Sequence, residues 1–153
     1  MTTVFYNSHA DAPLYEMIRA AVPEGMTLLT LTADDRHERL GKLAQADVVI
    51  VAATPLTAEL IAAAPRLLLV HHQGVGFQDT VDTAALTERG IPLALTPQGT
   101  TDAVAEMAIL LMLAVLRRLV FADAELRRGR WHINALRPLS GNLRGRRIGY
   151  IGM

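Results

Sequence analysis

The sequence predicts an α/β fold, a doubly wound parallel sheet with helices on both faces. Three observations lead there. Short β-rich runs alternate with helix-periodic segments through the first two-thirds of the chain. Two of the runs, residues 47–52 and 67–70, are almost unbroken aliphatic sequence, which marks strands covered on both faces. Hydrophobic residues make up 51% of the 153 and charged residues 20%. At that length folding hides about 70% of the surface of the unfolded chain, enough for a real core.

The elements follow in order. Residues 3–7 are a β-rich run ending in polar Asn7. Leu14, Met17, Ile18, Ala21 and Val22 give 13–22 a helical spacing, with Asp11 as cap and Pro13 near the first turn. Pro23 and Gly25 stop it, and 26–32 reads as a second strand. Residues 36–44 form a polar helix capped by Asp34 or Asp35. After strand 47–52, Thr54-Pro55 opens a third helix through Ala63, closed by Pro65. Strand 67–70 runs directly into Gly74-Val75-Gly76. A short helix, 83–89, stops at Gly90, and 91–94 is a fifth strand. Residues 102–128 then read as one long helix, capped by Thr100 or Thr101 and ended near Gly129. Residues 131–142 are loop-like. Residues 143–153 begin a new strand, basic at first and then alternating Ile148 and Ile151 with glycines. A terminal strand needs a sheet to join, so a second domain is expected to start there, with the chain cut inside it.

Composition excludes several classes. Disorder and collagen do not fit this hydrophobic content or a mean hydropathy of +0.26. Cysteine is absent, which removes disulfides, thiol nucleophiles and thiolate metal sites, and fits a reducing, cytoplasmic location. Lys+Arg and Asp+Glu are both 15, so no global field recruits nucleic acid or acidic lipid. The charge is nevertheless uneven: 117–147 holds nine Arg against Asp123 and Glu125. This basic stretch lacks aromatic interleaving and any nucleic-acid module, so a solvated face, or one covered by a further domain, is expected. No basic-then-apolar leader opens the chain, and the most apolar stretch, 107–116, is too short for a membrane span.

In a doubly wound sheet ligands sit beyond the carboxyl ends of the strands. The loops of interest are therefore 7–11, 52–55, 71–77 and 96–101. Gly74-Val75-Gly76 follows a buried strand, where successive backbone amides can form an anion nest; a plain tight turn is the alternative. Phe77 lines a pocket or belongs to the core. His71 and His72 point to opposite faces of a strand and make a poor chelating pair, so a structural or pocket-wall role is expected, and no metal site. His9 ends the first strand on the ligand side. Glu106 is expected to complement the helix dipole and, as a buried acid, to orient nearby loops.

Taken in order, several segments resemble one family. They are Gly74-Val75-Gly76-Phe77 with Val81-Asp82, Glu88-Arg89-Gly90-Ile91-Pro92, Thr96-Pro97, the stretch 100–106 (Thr-Thr-Asp-Ala-Val-Ala-Glu), and 143–152 (Leu-Arg-Gly-Arg-Arg-Ile-Gly-Tyr-Ile-Gly). Together they are similar to the D-isomer-specific 2-hydroxyacid dehydrogenases, over essentially the whole chain. The resemblance implies a flavodoxin-like substrate domain interrupted by a Rossmann domain that binds NAD or NADP. It also implies reversible hydride transfer between the nicotinamide and a small 2-oxo or 2-hydroxy acid. By the same resemblance, residues 1–101 are the N-terminal part of the substrate domain, 102–142 a long crossing helix and linker, and 143–153 the first strand of a truncated Rossmann domain. Gly74, Val75, Gly76 and Phe77 would bind substrate, with the Val75 and Gly76 amides on its carboxylate. Thr100, Thr101 and Val104 would face the nicotinamide, and Gly152 would open the pyrophosphate fingerprint. The family's Arg, acid and His would fall beyond this sequence, so no catalytic residue is assigned and the chain alone is expected to be inactive. A homodimer through the long apolar helix is expected; a non-catalytic carboxylate-binding or dimerisation module is the alternative. The chain departs from the family at 77–82, one residue longer than the commonest form. Thr100 stands where many members have Asn, and Met107 where several have His.

Overall fold

The computed structural model describes residues 1–151. The chain divides into two compact units, Met1–Gln98 and Gly99–Met153. The first holds β1 (Thr2–Tyr6), α1 (Ala12–Ala21), β2 (Met26–Leu29), α2 (Arg36–Leu43), β3 (Val48–Val51), α3 (Ala58–Ala62), β4 (Leu69–His72), α4 (Thr83–Glu88) and β5 (Leu93–Leu95). The five strands form one parallel sheet in the order β2-β1-β3-β4-β5. That order is the doubly wound arrangement in which the chain reverses direction at β1/β3. Register is fixed along the centre of the sheet, with Val49 opposite Phe5 on one side and Val70 on the other.

The core explains that register. Phe5, Val49, Val51 and Val70 are inaccessible to solvent and pack with Leu43, Leu56, Ile61 and Leu86 from the covering segments. Aliphatic side chains on both faces of the central strands make the helices necessary on both sides. Three of the helices start on side-chain caps. Asp35 accepts from the Glu38 amide, Thr57 from Leu60 and Asp82 from Ala85, each meeting an N–H that the first turn leaves without a partner.

Two boundaries differ from expectation for local reasons. The third helix begins at Ala58 rather than at Pro55, because Leu56 forms an isolated bridge with Val81 and the cap falls on Thr57. β4 runs Leu69–His72 rather than 67–70: Leu67 is held in a turn by its bond to the Ala64 carbonyl, and His71 and His72 pair with Ile50 and Val51 on one side and Ala94 and Leu95 on the other.

The second unit holds α5 (Thr101–Leu116), α6 (Leu119–Arg127), α7 (Ile133–Leu136) and a 3-10 turn (Arg137–Leu139). The single helix expected over 102–128 is two helices. Arg118 adopts φ +53°, the left-handed region, and breaks it. No Gly or Pro announces the break; a non-glycine residue there costs about 1–2 kcal/mol. The Arg118 side chain donates to the Leu139 carbonyl, and the Gly141 amide donates to the Leu116 carbonyl. The segment after α6 therefore folds back onto the α5–α6 junction, and 131–142 is partly helical rather than a loop. The fit is close at Gly141, where a Cβ would stand 3.2 Å from Arg146 Nη2 and 3.3 Å from a Leu116 methyl.

The strand expected over 143–153 is absent among the described residues: 143–151 pair with no other strand. A segment without a neighbouring edge has nothing to bond its backbone in extended form. No helix of the described residues is long and apolar enough to cross a membrane.

Candidate functional site

The glycine turn singled out in the sequence lies at the carboxyl end of β4. After His72 the chain turns through Gln73, Gly74, Val75 and Gly76. Gly74 has φ +152°, a region essentially reserved for glycine. Its amide donates to the His72 carbonyl at 2.9 Å, and its carbonyl accepts from the Thr96 amide at 3.0 Å. The turn is thereby stitched to the segment leaving β5. The next two residues are different: Val75 is 56% exposed and Gly76 is exposed, and neither amide donates to any group of the described residues. These are two consecutive unbonded N–H groups on an exposed turn, the type of group from which backbone anion nests are built. A Cβ at Gly76 would meet nothing within 4 Å, so that approach is open.

Phe77 is half-buried and packs against the core, and its carbonyl accepts from Thr80 and Val81 amides, closing the loop. It therefore anchors the turn, in line with the core alternative. The loops of the neighbouring strands close around the same end of the sheet. Asn7 and Ser8, buried at the end of β1, tie to the loop after β3. Asn7 Nδ2 donates to the Thr54 carbonyl at 3.0 Å, and the Thr54 amide donates to Ser8 Oγ at 3.1 Å. The Tyr6 hydroxyl donates to Gln73 Oε1 at 3.3 Å, beside the glycine turn. Burial and the neighbouring Tyr15 hold this phenol above its ordinary pKa, so it stays a neutral donor. These ties are invisible in the sequence because they join residues 47 and 67 positions apart. His9 is exposed beyond them.

In the second unit, Thr100 occupies the N-cap position of α5 but makes no side-chain capping bond, against expectation. Its φ and ψ, −104° and −21°, are already helical rather than the extended values from which a cap side chain reaches the first-turn amides. Thr100 and Thr101 are exposed and Val104 is 65% exposed. Glu106 is exposed rather than buried, and the acid of the first turn is Asp102. Gly152 lies outside the described residues. Sequence reading missed one cluster here. The buried Glu125 carboxylate accepts from Arg130, from Arg128 Nη1 at 3.1 Å and shares a 2.6 Å bond with His132 Nε2. Chiefly through Arg130, these donors hold Glu125 well below the usual carboxylate range. Part of the basic stretch is thus spent on one internal acid; the signal was Glu125 followed by Arg at +3 and +5 and His at +7. Among the described residues, no group of three or more His, Asp or Glu could hold a metal.

The strand order β2-β1-β3-β4-β5 makes the first unit a doubly wound α/β domain. The chain matches the family described as D-isomer specific 2-hydroxyacid dehydrogenase, catalytic domain, over residues 4–145, and it belongs to that family. It is 35% identical over 136 residues to D-3-phosphoglycerate dehydrogenase of Mycobacterium tuberculosis, covering 88% of this chain and 25% of that protein. It is 37% identical over 101 residues to glyoxylate reductase of Korarchaeum cryptofilum, covering 65% of this chain and 30% of that one. Among solved structures, the NADPH-dependent glyoxylate/hydroxypyruvate reductase of Sinorhizobium meliloti, in complex with NADP and malonate, superimposes with TM-score 0.72. The identity is 31%, over 95% of this chain and 44% of that one. The 2-hydroxyacid dehydrogenase of Ketogulonicigenium vulgare gives TM-score 0.67 at 32% identity, over 95% and 46%. The chain spans about a quarter of the length of its first curated relatives.

Proposed function

We propose that this chain is the substrate-binding part of an oxidoreductase that transfers a hydride between NAD(P)H and a 2-oxo or D-2-hydroxy acid. The observation that carries this is the pair of free, exposed amides at Val75 and Gly76, on a turn pinned at both ends. They would bind the substrate carboxylate, while Gly74 supplies the backbone conformation and Phe77 the anchor. The related glyoxylate and phosphoglycerate enzymes support a small carboxylate as ligand.

The nicotinamide, when bound, supplies or accepts the hydride. Thr100, Thr101 and Val104 fit contact with such a ring: they are exposed, and the Thr100 hydroxyl is not engaged in capping. General acid–base transfer needs a proton carrier within hydrogen-bond reach of the reacting oxygen, and no residue of this chain is assigned that role. The chain by itself is therefore expected to give no turnover with NADH or NADPH and glyoxylate, hydroxypyruvate or pyruvate. Clear turnover in that assay refutes the assignment of catalysis to groups outside these residues.

A second copy of the chain is the proposed partner. On α5, Val104, Met107, Leu111 and Val115 form an exposed stripe, Val115 at 73%, and no residue of that helix is buried. Light scattering should show association that rises with concentration; a monomer at all concentrations refutes it. The same stripe supports the alternative of a non-catalytic dimerisation module, which predicts dimers that do not bind pyruvate. Absence of cysteine supports a cytoplasmic setting.

A further inference from the structure

We propose that His71 and His72 are positioning residues that clamp the glycine turn from both faces of the sheet; the proposal rests on the reading of that turn as a carboxylate site. Being adjacent on β4, the two rings point to opposite faces. Each meets a threonine hydroxyl. His71 Nε2 lies 2.8 Å from Thr96 Oγ1, and His72 Nε2 lies 3.0 Å from Thr80 Oγ1. Each hydroxyl passes a bond onward: Thr96 Oγ1 donates to the His72 carbonyl and Thr80 Oγ1 to the Phe77 carbonyl, both at 3.3 Å. A hydroxyl has one hydrogen. In the proposed relay each hydroxyl donates to its carbonyl and accepts from its ring, which requires both histidines to carry a hydrogen on Nε2.

The two carbonyls so gripped, at residues 72 and 77, bound the turn at its two ends. Thr96 also donates its amide to the Gly74 carbonyl, so one threonine holds the turn twice. The His72 ring lies directly against Gly74, where a Cβ would stand 3.4 Å from its Cε1. His72 is 5% exposed, and its Nδ1 is buried with no partner among the described residues. An apolar side chain would fill that place without stranding a polar atom. The stranded nitrogen has a reason if the other one is needed to hold Thr80. The Val75 and Gly76 amides have no bonds among the described residues, so these relays add to the backbone bonds at Gly74 and Phe77 in fixing their direction. Fixing donors before the ligand arrives spares the ordering cost at binding.

The test uses the 15N-labelled chain and three variants, Thr80→Val, His72→Gln and His72→Leu. Thr80→Val keeps shape and deletes the relay hydroxyl; His72→Gln keeps a donor that can reach Thr80; His72→Leu keeps bulk alone. Backbone heteronuclear NOEs report the order of residues 74–77, titration with pyruvate reports affinity, and melting temperature reports the fold. Thr80→Val and His72→Leu should both loosen 74–77 and weaken pyruvate by about tenfold, while His72→Gln stays within about threefold of wild type. Long-range 15N–1H spectra should show both rings protonated on Nε2. An unchanged NOE profile in Thr80→Val, a His72→Gln as loose as His72→Leu, or a ring protonated on Nδ1 alone overturns the clamp. If wild type takes up no pyruvate, the carboxylate reading fails, and the NOE comparison still decides the clamp.

Discussion

Alanine placed at Gly74 and at Gly76 should give opposite results, although the two glycines are two residues apart. At Gly74 the limit is backbone conformation. A Cβ there would reach only ordinary contact with His72, 3.4 Å from Cε1 and 3.5 Å from Nδ1. Its φ of +152°, however, is one that side-chain-bearing residues rarely adopt. Holding alanine in such a region costs about 1–3 kcal/mol. Relaxing it would break the bonds from the Gly74 amide to His72 and from Thr96 to the Gly74 carbonyl, so escape is no cheaper. For a chain of this size each kcal/mol moves the melting temperature by about 2–4 °C, so Gly74→Ala should melt roughly 2–12 °C lower. At Gly76 the backbone is not left-handed and a Cβ meets nothing within 4 Å. Gly76→Ala should therefore match wild type within about 0.5 kcal/mol, or gain slightly from a stiffer unfolded chain. Circular-dichroism melts of the three proteins under one condition suffice. A Gly74→Ala that melts with wild type, or a Gly76→Ala that falls equally far, refutes the reasoning.

Three further outcomes follow from the first unit. Phe5→Ala removes a ring with 0% exposure at the centre of the sheet and should cost about 3–5 kcal/mol in a denaturant titration; a loss below 1 kcal/mol would mean the core is not where we place it. Asp82→Ala deletes the acceptor of the Ala85 amide at the start of α4 and should cost about 1 kcal/mol, with Asp82→Asn largely restoring it. Asp47 is held below the usual carboxylate range, first by the Thr3 amide and then by Arg66. A lowered folded pKa adds stability above the unfolded value, near pH 4, and loses it as pH falls through the folded value. Denaturant midpoints at pH 7 and pH 3 should therefore fall further for wild type than for Asp47→Asn; equal falls would remove Asp47 from the acid response.

The alternation of buried runs with periodic helices was enough to read the sheet, since apolar strands such as Val48–Val51 have no other stable use. The glycine turn was legible because Gly74 and Gly76 stand directly after such a strand. What escaped was whatever depends on distant or cooperative contacts. The break at Arg118 carries no glycine or proline; it is set by a fold-back that bonds Arg118 to Leu139 and Gly141 to Leu116. Thr100 has the composition of a cap but not the dihedral angles. The Glu125 cluster read as surplus positive charge, because a count of arginines does not show which of them face one carboxylate. The run 143–151 has a strand's alternation, yet alternation creates a strand only beside another strand.

The central claim is that an anion docks on two unbonded backbone amides at the end of β4. Titrating the 15N-labelled chain with pyruvate and following every amide tests it most directly. The account predicts that the Val75 and Gly76 resonances move furthest and saturate, with α1 and β2 unmoved. Val75 and Gly76 staying in place while pyruvate binds elsewhere, or does not bind at all, would contradict it.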